Sequence, residues 1–356
     1  MIYSAAHLTS RCRTTSPRLR PWIPALLFVL ALGLVGHTAA QSLDGGHAVV
    51  SSERPVLWAD PGDIKSLDLF YGPGGKKHLP QLPVKFVEEI REGGSPKFDV
   101  VDAAGKKWRA KLGDEAQPET VAARLLWAAG YVANVNYYFQ DLVVEGLPEH
   151  LHRGQEFVRP GGHVSNVRLQ RHPESEGKST KKAGSWNWRH NPFTGTRQFD
   201  GLRVMMALIS NWDLVNNNTA LRDDGHGEQL YQVSDVGSSF GMSGKSYTDA
   251  LSKNNLEKYR KSRFIAKATP EYVDLNFPTH PPILYVFDLK MFWQLTRPRW
   301  IGRHIPRDHV KWIASQLAQL SAQQIRDAFR AAGYSPNDVE GFSTAVEARI
   351  AALSQL

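Results

Sequence analysis

Asp213, Asn218 and Asp235 are the residues of this chain whose types and spacing best suit chemistry. Asn218 follows Asp213 by five residues, and Asp235 opens an Asp-x-Gly corner that ends at Gly237. Two carboxylates and an amide can hold the metal ion that bridges nucleotide phosphates and can orient an acceptor hydroxyl. The residue types and their spacing therefore indicate a centre for phosphoryl transfer.

The elements around these residues are predicted in the order that such a centre needs. The apolar run from Phe199 to Ile209 indicates a buried helix that ends just before the Asp213 loop. Asp223-Asp224-Gly225 is typical of a turn, and the segment from Gln229 to Val233 predicts a strand leading to Asp235. Both aspartates are thus expected at the ends of regular elements.

This combination resembles the catalytic half of the atypical protein-kinase-like superfamily, which includes HipA-type bacterial kinases, phosphatidylinositol kinases and secretory-pathway kinases. The resemblance covers roughly residues 81–350. It implies that Asp213 is the catalytic-loop aspartate, Asn218 the metal-binding asparagine and Asp235 the aspartate of the D-F-G motif. Asn217 is an alternative to Asn218, because the loop can be aligned one residue out.

The chain departs from the family pattern at two places. Asn211-Trp212 stands where typical kinases have His-Arg, and Val236 stands where they have Phe. Atypical members tolerate both changes, so we interpret them as divergence rather than loss of activity. Asp and Asn are also common turn residues, because their side chains bond nearby backbone, so either half of the pattern alone has a simpler explanation. The presence of both the Asp213–Asn218 loop and the Asp235-Val236-Gly237 corner, in this order, favours a phosphoryl-transfer site over two unrelated turns.

A lysine and a glutamate upstream supply the other half of the expected site. Lys111 lies on the second strand of a hairpin predicted over residues 97–112, where it would neutralise the phosphates of a nucleotide. Glu119 follows Pro118 in the first turn of a predicted helix, and we expect it to orient Lys111, with Glu115 as second choice. The alternatives are an exposed strand lysine and an acidic residue favoured by the helix dipole.

Gly93 and Gly94 form the candidate phosphate-covering loop directly before this hairpin. Successive backbone N–H groups in such a turn can surround an anion. The stretch lacks the G-x-G-x-x-G pattern, however, and Gly-Gly-Ser-Pro is also an ordinary turn signal. A similar glycine-rich stretch at residues 71–77 lies too far upstream.

The first 40 residues predict export. Four arginines precede an apolar run at residues 23–35, and Thr38-Ala39-Ala40 resembles a cleavage site, with cleavage after Ala40. The run is too short for a comfortable span, so we expect no stable membrane anchor after cleavage and a secreted or periplasmic protein. The only cysteine, Cys12, lies in this leader, which excludes a disulfide framework, a cysteine nucleophile and a cysteine-based zinc site in the mature chain.

Composition agrees with a folded protein of two lobes, since the chain has 356 residues and is 42% hydrophobic. Its formal charge falls from +8 to +4 when the four leader arginines are removed. A mild positive charge suits phosphate-bearing ligands, and we expect no nucleic-acid partner. The predicted divisions are a signal peptide at 1–40, an extended N-terminal segment at 41–80, an N-lobe at 81–150, an interlobe connection and polar loop at 151–198, and a helical C-lobe with the catalytic loop at 199–356.

Two polar stretches have weaker functional signals. Residues 152–197 contain scattered histidines without zinc-ligand spacing, so we expect these side chains at the surface. Residues 243–267 are basic, and their position matches an acceptor-binding segment that could receive an acidic or phosphorylated substrate. A solvated loop is the more frequent outcome of such a run.

The sequence thus predicts an α+β, two-lobed kinase-like fold with a small β-rich N-lobe and a mainly helical C-lobe. The predicted function is phosphoryl transfer from Mg-ATP to an unknown hydroxyl-bearing acceptor, with a nucleotide as the bound partner. Two alternatives stay open. One is a pseudokinase that uses the cleft only for binding, and the other is an envelope protein whose Asp/Asn loop binds calcium through oxygen ligands.

Overall fold

Residues 53–172, 182–241, 252–277 and 300–356 are described by a computed structural model of the chain. The described residues belong to one compact unit. The predicted signal peptide, and with it the prediction of export, lies outside the described residues, as does part of the basic stretch at 243–267.

Strands dominate the first half of the described chain and helices the second. The strands are β1 Arg54–Val56, β2 Val84–Ile90, β3 Lys97–Val101, β4 Lys107–Leu112, β5 Asn136–Glu145, β6 Val158–Arg159, β7 His163–Arg171, β8 Lys182–Gly184, β9 Thr219–Asp223, β10 Glu228–Val233, β11 Ile265–Ala268, β12 Tyr272–Leu275 and β13 Ile305–Pro306. The helices are α1 Ala116–Ala128, α2 Arg197–Leu208, α3 Leu256–Lys261, α4 Arg307–Leu317, α5 Ala322–Arg330 and α6 Pro336–Ser354. This confirms the predicted α+β class, with a β-rich part followed by a helical part.

Five strands of the N-terminal half close into a ring, which we call the barrel. β4 pairs with β3 and β7, β5 joins β7 to β2, and β2 returns to β3. Side chains alternate between the two faces of a strand. On β4, Trp108, Ala110 and Leu112 therefore fill the small apolar core inside the barrel. Lys111, between the last two, is left on the outer face.

The barrel extends past the predicted N-lobe boundary at residue 150. β7 belongs to it because Val164, Val167 and Leu169 are fully buried in the barrel core. The segment predicted as an extended approach to the core also makes specific contacts, since Arg54 pairs with Glu228 in a parallel ladder between β1 and β10.

The hairpin predicted after the Asp213 loop is formed by β9 and β10. Asp224 closes its turn, because its Oδ1 accepts hydrogen bonds from the backbone N–H groups of His226 at 2.7 Å and Glu228 at 2.9 Å. β8 and β1 extend this sheet on its two sides. β10 ends at Val233, which places Asp235 at the end of a strand as predicted.

α1 lies between the barrel and the helical part. It begins at Ala116, two residues before the predicted start at Pro118, and it packs against β5, β7 and α5. Nearly all of its residues are buried, including the polar residues Glu119 and Arg124. A helix buried on all sides must satisfy such groups internally. Arg124 does so by donating to Asn136 Oδ1 at 3.0 Å.

A larger apolar core joins α1, α2 and α4–α6. α2 is buried from Phe199 to Leu208, which confirms the helix predicted there. Thr196 caps its start by accepting a hydrogen bond from the backbone N–H of Phe199. In the part of the chain that the structure describes, none of the helices is both long and apolar enough to span a bilayer.

Candidate active site

Lys111, Glu119 and Asp235 meet at the outer face of the barrel. Lys111 Nζ lies 3.4 Å from Glu119 Oε2 and 3.2 Å from Asp235 Oδ2. The lysine comes from β4 and the glutamate from the first turn of α1. The aspartate follows β10 and lies 124 residues after Lys111 in the chain. The structure thus brings together three of the residues that the sequence assigned to one site.

Arg168 is a fourth member of this group that the sequence prediction missed. It lies directly opposite Lys111 in the β4–β7 ladder, its side chain is fully buried, and its Nη2 is 2.7 Å from Glu119 Oε2. Two cations opposite each other repel unless an anion is shared between them. Glu119 supplies that anion, so its carboxylate is held from two sides.

Asp213 lies in a loop that its own residues fix. Its backbone N–H donates to Asn211 Oδ1 at 2.9 Å, and its carbonyl accepts from Asn218 Nδ2 at 2.8 Å. The carbonyl of Asn218 in turn accepts from the backbone N–H groups of Ser234 at 2.8 Å and Asp235 at 3.3 Å. Asn218 therefore links the two aspartates, whereas its neighbour Asn217 is exposed.

The two aspartates have environments that shift their pKa values in opposite directions. Burial is the main cause that raises the pKa of Asp213; the hydrogen bond from Asn218 acts against it, and the negative charges of Asp235 and Glu115 act in the same direction as burial. Burial also acts to raise the pKa of Asp235, but Lys111 and Arg168 together hold it below its usual value. Two carboxylates whose pKa values are shifted in opposite directions are typical of a site in which one residue transfers protons and the other stays ionised.

Lys111 keeps its charge in spite of its burial. Burial alone lowers the pKa of this ammonium group, but the carboxylates of Glu119 and Asp235 have the larger combined effect and raise it above its usual value. A fixed positive charge at the mouth of a cleft is what a phosphate-binding lysine requires.

Glu115, the second choice for the lysine partner, has a different place. Its Oε1 accepts from Lys253 Nζ at 2.8 Å and its Oε2 from Ser95 Oγ at 2.9 Å. Ser238 Oγ, just after the Asp-Val-Gly corner, lies 3.5 Å from Oε1. Glu115 thus connects the glycine loop, the start of α1 and the segment after Asp235.

Gly93 and Gly94 lie in the loop between β2 and β3. The guanidinium of Arg153 donates to the carbonyls of both, and it also reaches Ile90 O at 3.1 Å. Gly93 has a φ of +77°, which favours glycine. Through Ser95 this loop reaches Glu115 at the edge of the site, but the two glycines make no contact with Lys111 among the described contacts.

Arg349 on α6 contacts the segment that leads from α2 into the Asp213 loop. Its Nη1 donates to the carbonyl of Leu208 at 2.8 Å and to Ser210 Oγ at 2.9 Å, at the end of α2. Its Nη2 donates to the carbonyl of Tyr259 at 2.9 Å. The side chain is buried, so these contacts fix where α2 ends and where the Asp213 loop begins.

The donor set fits a magnesium ion better than a structural metal. Among the described residues, no group of three or more His, Cys, Asp or Glu side chains is placed to hold a metal ion. Mg²⁺ needs no such cage, because one or two carboxylates together with nucleotide phosphates and water complete its coordination. Asp235 and Asn218 are the residues that would hold it here.

The search of solved structures returned kinases. The chain overlaps the Helicobacter pylori proinflammatory kinase CtkA with a TM-score of 0.42 and 11% identity, covering 76% of this chain and 96% of that one. It overlaps a Golgi casein kinase with a TM-score of 0.31 and 13% identity, covering 82% and 78%. No protein-family model and no curated protein sequence matched the chain. Because both TM-scores are below 0.5, fold and function are inferred from this chain's own residues.

Proposed function

We propose that this chain is an exported kinase-like phosphotransferase that uses Mg-ATP to phosphorylate a hydroxyl-bearing acceptor. The observation that carries the proposal is the meeting of Lys111 and Glu119 with Asp235, 124 residues after Lys111 in the chain, beside a loop that presents Asp213. Export is inferred from the arginine-rich, apolar leader that ends at Ala40.

The proposed roles follow from charge and position. Lys111, held by Glu119, neutralises the nucleotide phosphates, and bound Mg²⁺ on Asp235 and Asn218 would offset the remaining charge. Asp213 accepts the proton of the acceptor hydroxyl while the oxygen of that hydroxyl forms a bond to the γ-phosphorus of ATP. The bond from that phosphorus to the bridging oxygen breaks, and ADP leaves with the electron pair. The raised pKa of Asp213 suits a base of this kind.

Thermal melting of the full chain with and without Mg-ATP tests the binding half of this proposal. A ligand at one hundred times its Kd stabilises a protein by about 2.7 kcal/mol. We expect stabilisation for the wild type and none for Asp235→Ala. Asp141→Asn is the matched control, because Asp141 is an exposed aspartate on the barrel that pairs with Arg159. Equal melting with and without Mg-ATP in the wild type would reject nucleotide binding.

Product formation then separates an enzyme from a pseudokinase. ATP turnover in the presence of candidate hydroxyl acceptors is expected for the wild type and lost in Asp213→Asn, while the Mg-ATP melting shift is kept. A wild type that binds Mg-ATP but forms no product would be a pseudokinase.

A further inference from the structure

A polar cavity of about 220 Å³ opens beside the catalytic loop. Leu214 and Asn216, which follow Asp213 directly in the chain, form one wall. The rest of the wall includes Trp188, Arg189, His190 and Trp300. The cavity is several times larger than the ~30 Å³ that one water molecule occupies in the liquid. A ligand placed in it contacts the same loop that carries Asp213.

The charge of this cavity is positive. The positive charge comes from Arg189, and none of the described residues that line the cavity is acidic. The Arg189 side chain is exposed and lies over the ring of Trp300, with its Cζ 4.7 Å from the ring centroid. In the described ranges no carboxylate lies within ion-pair distance of Arg189, so its fork of N–H donors faces no fixed anion of the protein.

Arg203 also stacks on Trp300, and unlike that of Arg189 its guanidinium has partners among the described residues. The Cζ of Arg203 lies 5.7 Å from the centroid of Trp300, and this side chain is buried. It pairs with Asp200 and donates to the carbonyl of Ile301 at 2.7 Å. Arg203 therefore already accounts for the packing of Trp300, and Arg189 adds a charge that the fold leaves uncompensated.

Trp188 also forms part of the cavity wall. The residue is only 3% exposed and lines the cavity, yet its indole Nε1 has no hydrogen-bond acceptor among the described residues. Buried tryptophan N–H groups usually have a partner.

We propose that this cavity binds an oxyanion of the acceptor, a carboxylate or a phosphate, with Arg189 as the residue that selects it. The proposal rests on the proposed phosphotransferase function only in naming the ligand as the acceptor. A guanidinium matches the two oxygens of a carboxylate or phosphate in a bidentate geometry, which favours these groups over neutral ones. The acceptor would then carry its reacting hydroxyl close to an acidic group.

The test is a titration of the full chain, without nucleotide or magnesium, with inorganic phosphate and separately with succinate. Nuclear magnetic resonance of ¹⁵N-tryptophan-labelled protein reports on the indole N–H of Trp300, which is assigned with Trp300→Phe. We expect a saturable shift of this signal in the wild type. Binding should weaken about tenfold or more in Arg189→Gln, since a hydrogen bond to a charged group contributes about 1.5–3 kcal/mol. Arg189→Lys should keep part of the affinity.

Arg197→Gln is the matched control. Arg197 is also exposed and also stacks on a tryptophan, with its Cζ 5.3 Å from the centroid of Trp312, but it does not line the cavity. Its loss should leave the titration unchanged. A response to either anion supports the assignment and identifies the source of the oxyanion. An unmoved Trp300 signal, or equal weakening in both variants, overturns it.

The Mg-ATP melting shift of Arg189→Gln separates this inference from the proposed function. We expect that shift to equal the wild-type shift, because Arg189 is not among the contacts of Lys111 or Asp235. If the cavity binds phosphate but the protein shows no melting shift with Mg-ATP, the anion site is supported and the proposed kinase function is rejected. If the protein shows the Mg-ATP melting shift but binds neither anion, nucleotide binding is supported and the anion site is rejected.

Discussion

Arg168 and Arg349 are buried on opposite sides of the candidate site, and the protein accommodates their charges differently. Arg168 on the barrel shares the carboxylate of Glu119 with Lys111. Arg349 on the helical side meets carbonyl and hydroxyl oxygens, and its Cζ lies 3.8 Å from the ring centroid of Tyr259. Its burial accordingly lowers its pKa, whereas that of Lys111 is raised by carboxylates.

This difference separates two tasks. The barrel side concentrates full charges, so it sets the electrostatic potential that a nucleotide would meet. The helical side uses hydrogen bonds to backbone, so it sets where the loop with Asp213 begins. A change on the barrel side should therefore alter binding and charge, and a change on the helical side should alter stability and loop position.

The largest expected effect is on catalysis, from Asp213→Asn on the helical side. Loss of a general base typically lowers the rate by about 10²–10⁴. We expect kcat to fall by this factor while the Mg-ATP melting shift stays at the wild-type value. Asp274→Asn is the control, because this buried aspartate accepts from the backbone N–H of His304 at 2.8 Å and makes no described contact with Lys111, Asp213 or Asp235. It should reduce stability and leave kcat unchanged; a wild-type kcat in Asp213→Asn would mean that another group is the base.

Arg168→Met tests the charge sharing on the barrel side. Breaking a buried ion pair by removing one partner costs about 3–5 kcal/mol, because the other charge is left uncompensated. Denaturant unfolding should show this loss, and Arg168→Lys should recover part of it. The affinity for Mg-ATP should also fall, since Glu119 would then be held by Lys111 alone. A stable Arg168→Met protein with normal Mg-ATP affinity would show that Lys111 and Glu119 need no third partner.

Arg349→Met is the corresponding change on the helical side. It removes the hydrogen bonds of the guanidinium to the carbonyls of Leu208 and Tyr259, and each hydrogen bond to a charged group contributes about 1.5–3 kcal/mol. Leu208 keeps a donor in the hydroxyl of Tyr259 at 2.6 Å. We expect a total loss near 3 kcal/mol in unfolding free energy and a lower kcat with little change in Mg-ATP affinity. If Mg-ATP affinity fell as much as in Arg168→Met, the division of tasks between the two sides would be wrong.

The local parts of this site could be predicted from the sequence. Lys111 follows from the alternation of β4, Glu119 from its place in the first turn of a helix, and the Asp213 loop from the apolar run before it. Each of these signals is contained in a window of about a dozen residues, which is the range over which periodicity is informative.

The two arginines could not be assigned in this way, because their partners depend on contacts between distant segments. Arg168 has a role only because β7 pairs with β4, whereas the sequence predicts an interlobe connection and polar loop at residues 151–198. Arg349 is a single cation in the apolar sequence of α6, which is a signal of burial, but nothing local indicates that its partners are at Leu208 and Tyr259.

The smallest expected effect concerns the contact that joins the two sides. Gly333, at the turn between α5 and α6, has a φ of +70°, and a Cβ there would lie 2.3 Å from Cε1 of Tyr138 on the barrel. Gly333→Ala should therefore destabilise the protein by about 2 kcal/mol, within the usual range for overpacking. Gly105→Ala isolates the backbone cost, since Gly105 has a φ of +74° with no atom within 4 Å of its Cβ position. That control should lose only about 1 kcal/mol. Equal losses in unfolding free energy for the two variants would mean that the helical turn does not pack against Tyr138 in solution, and that the two sides of the site are joined mainly through α1.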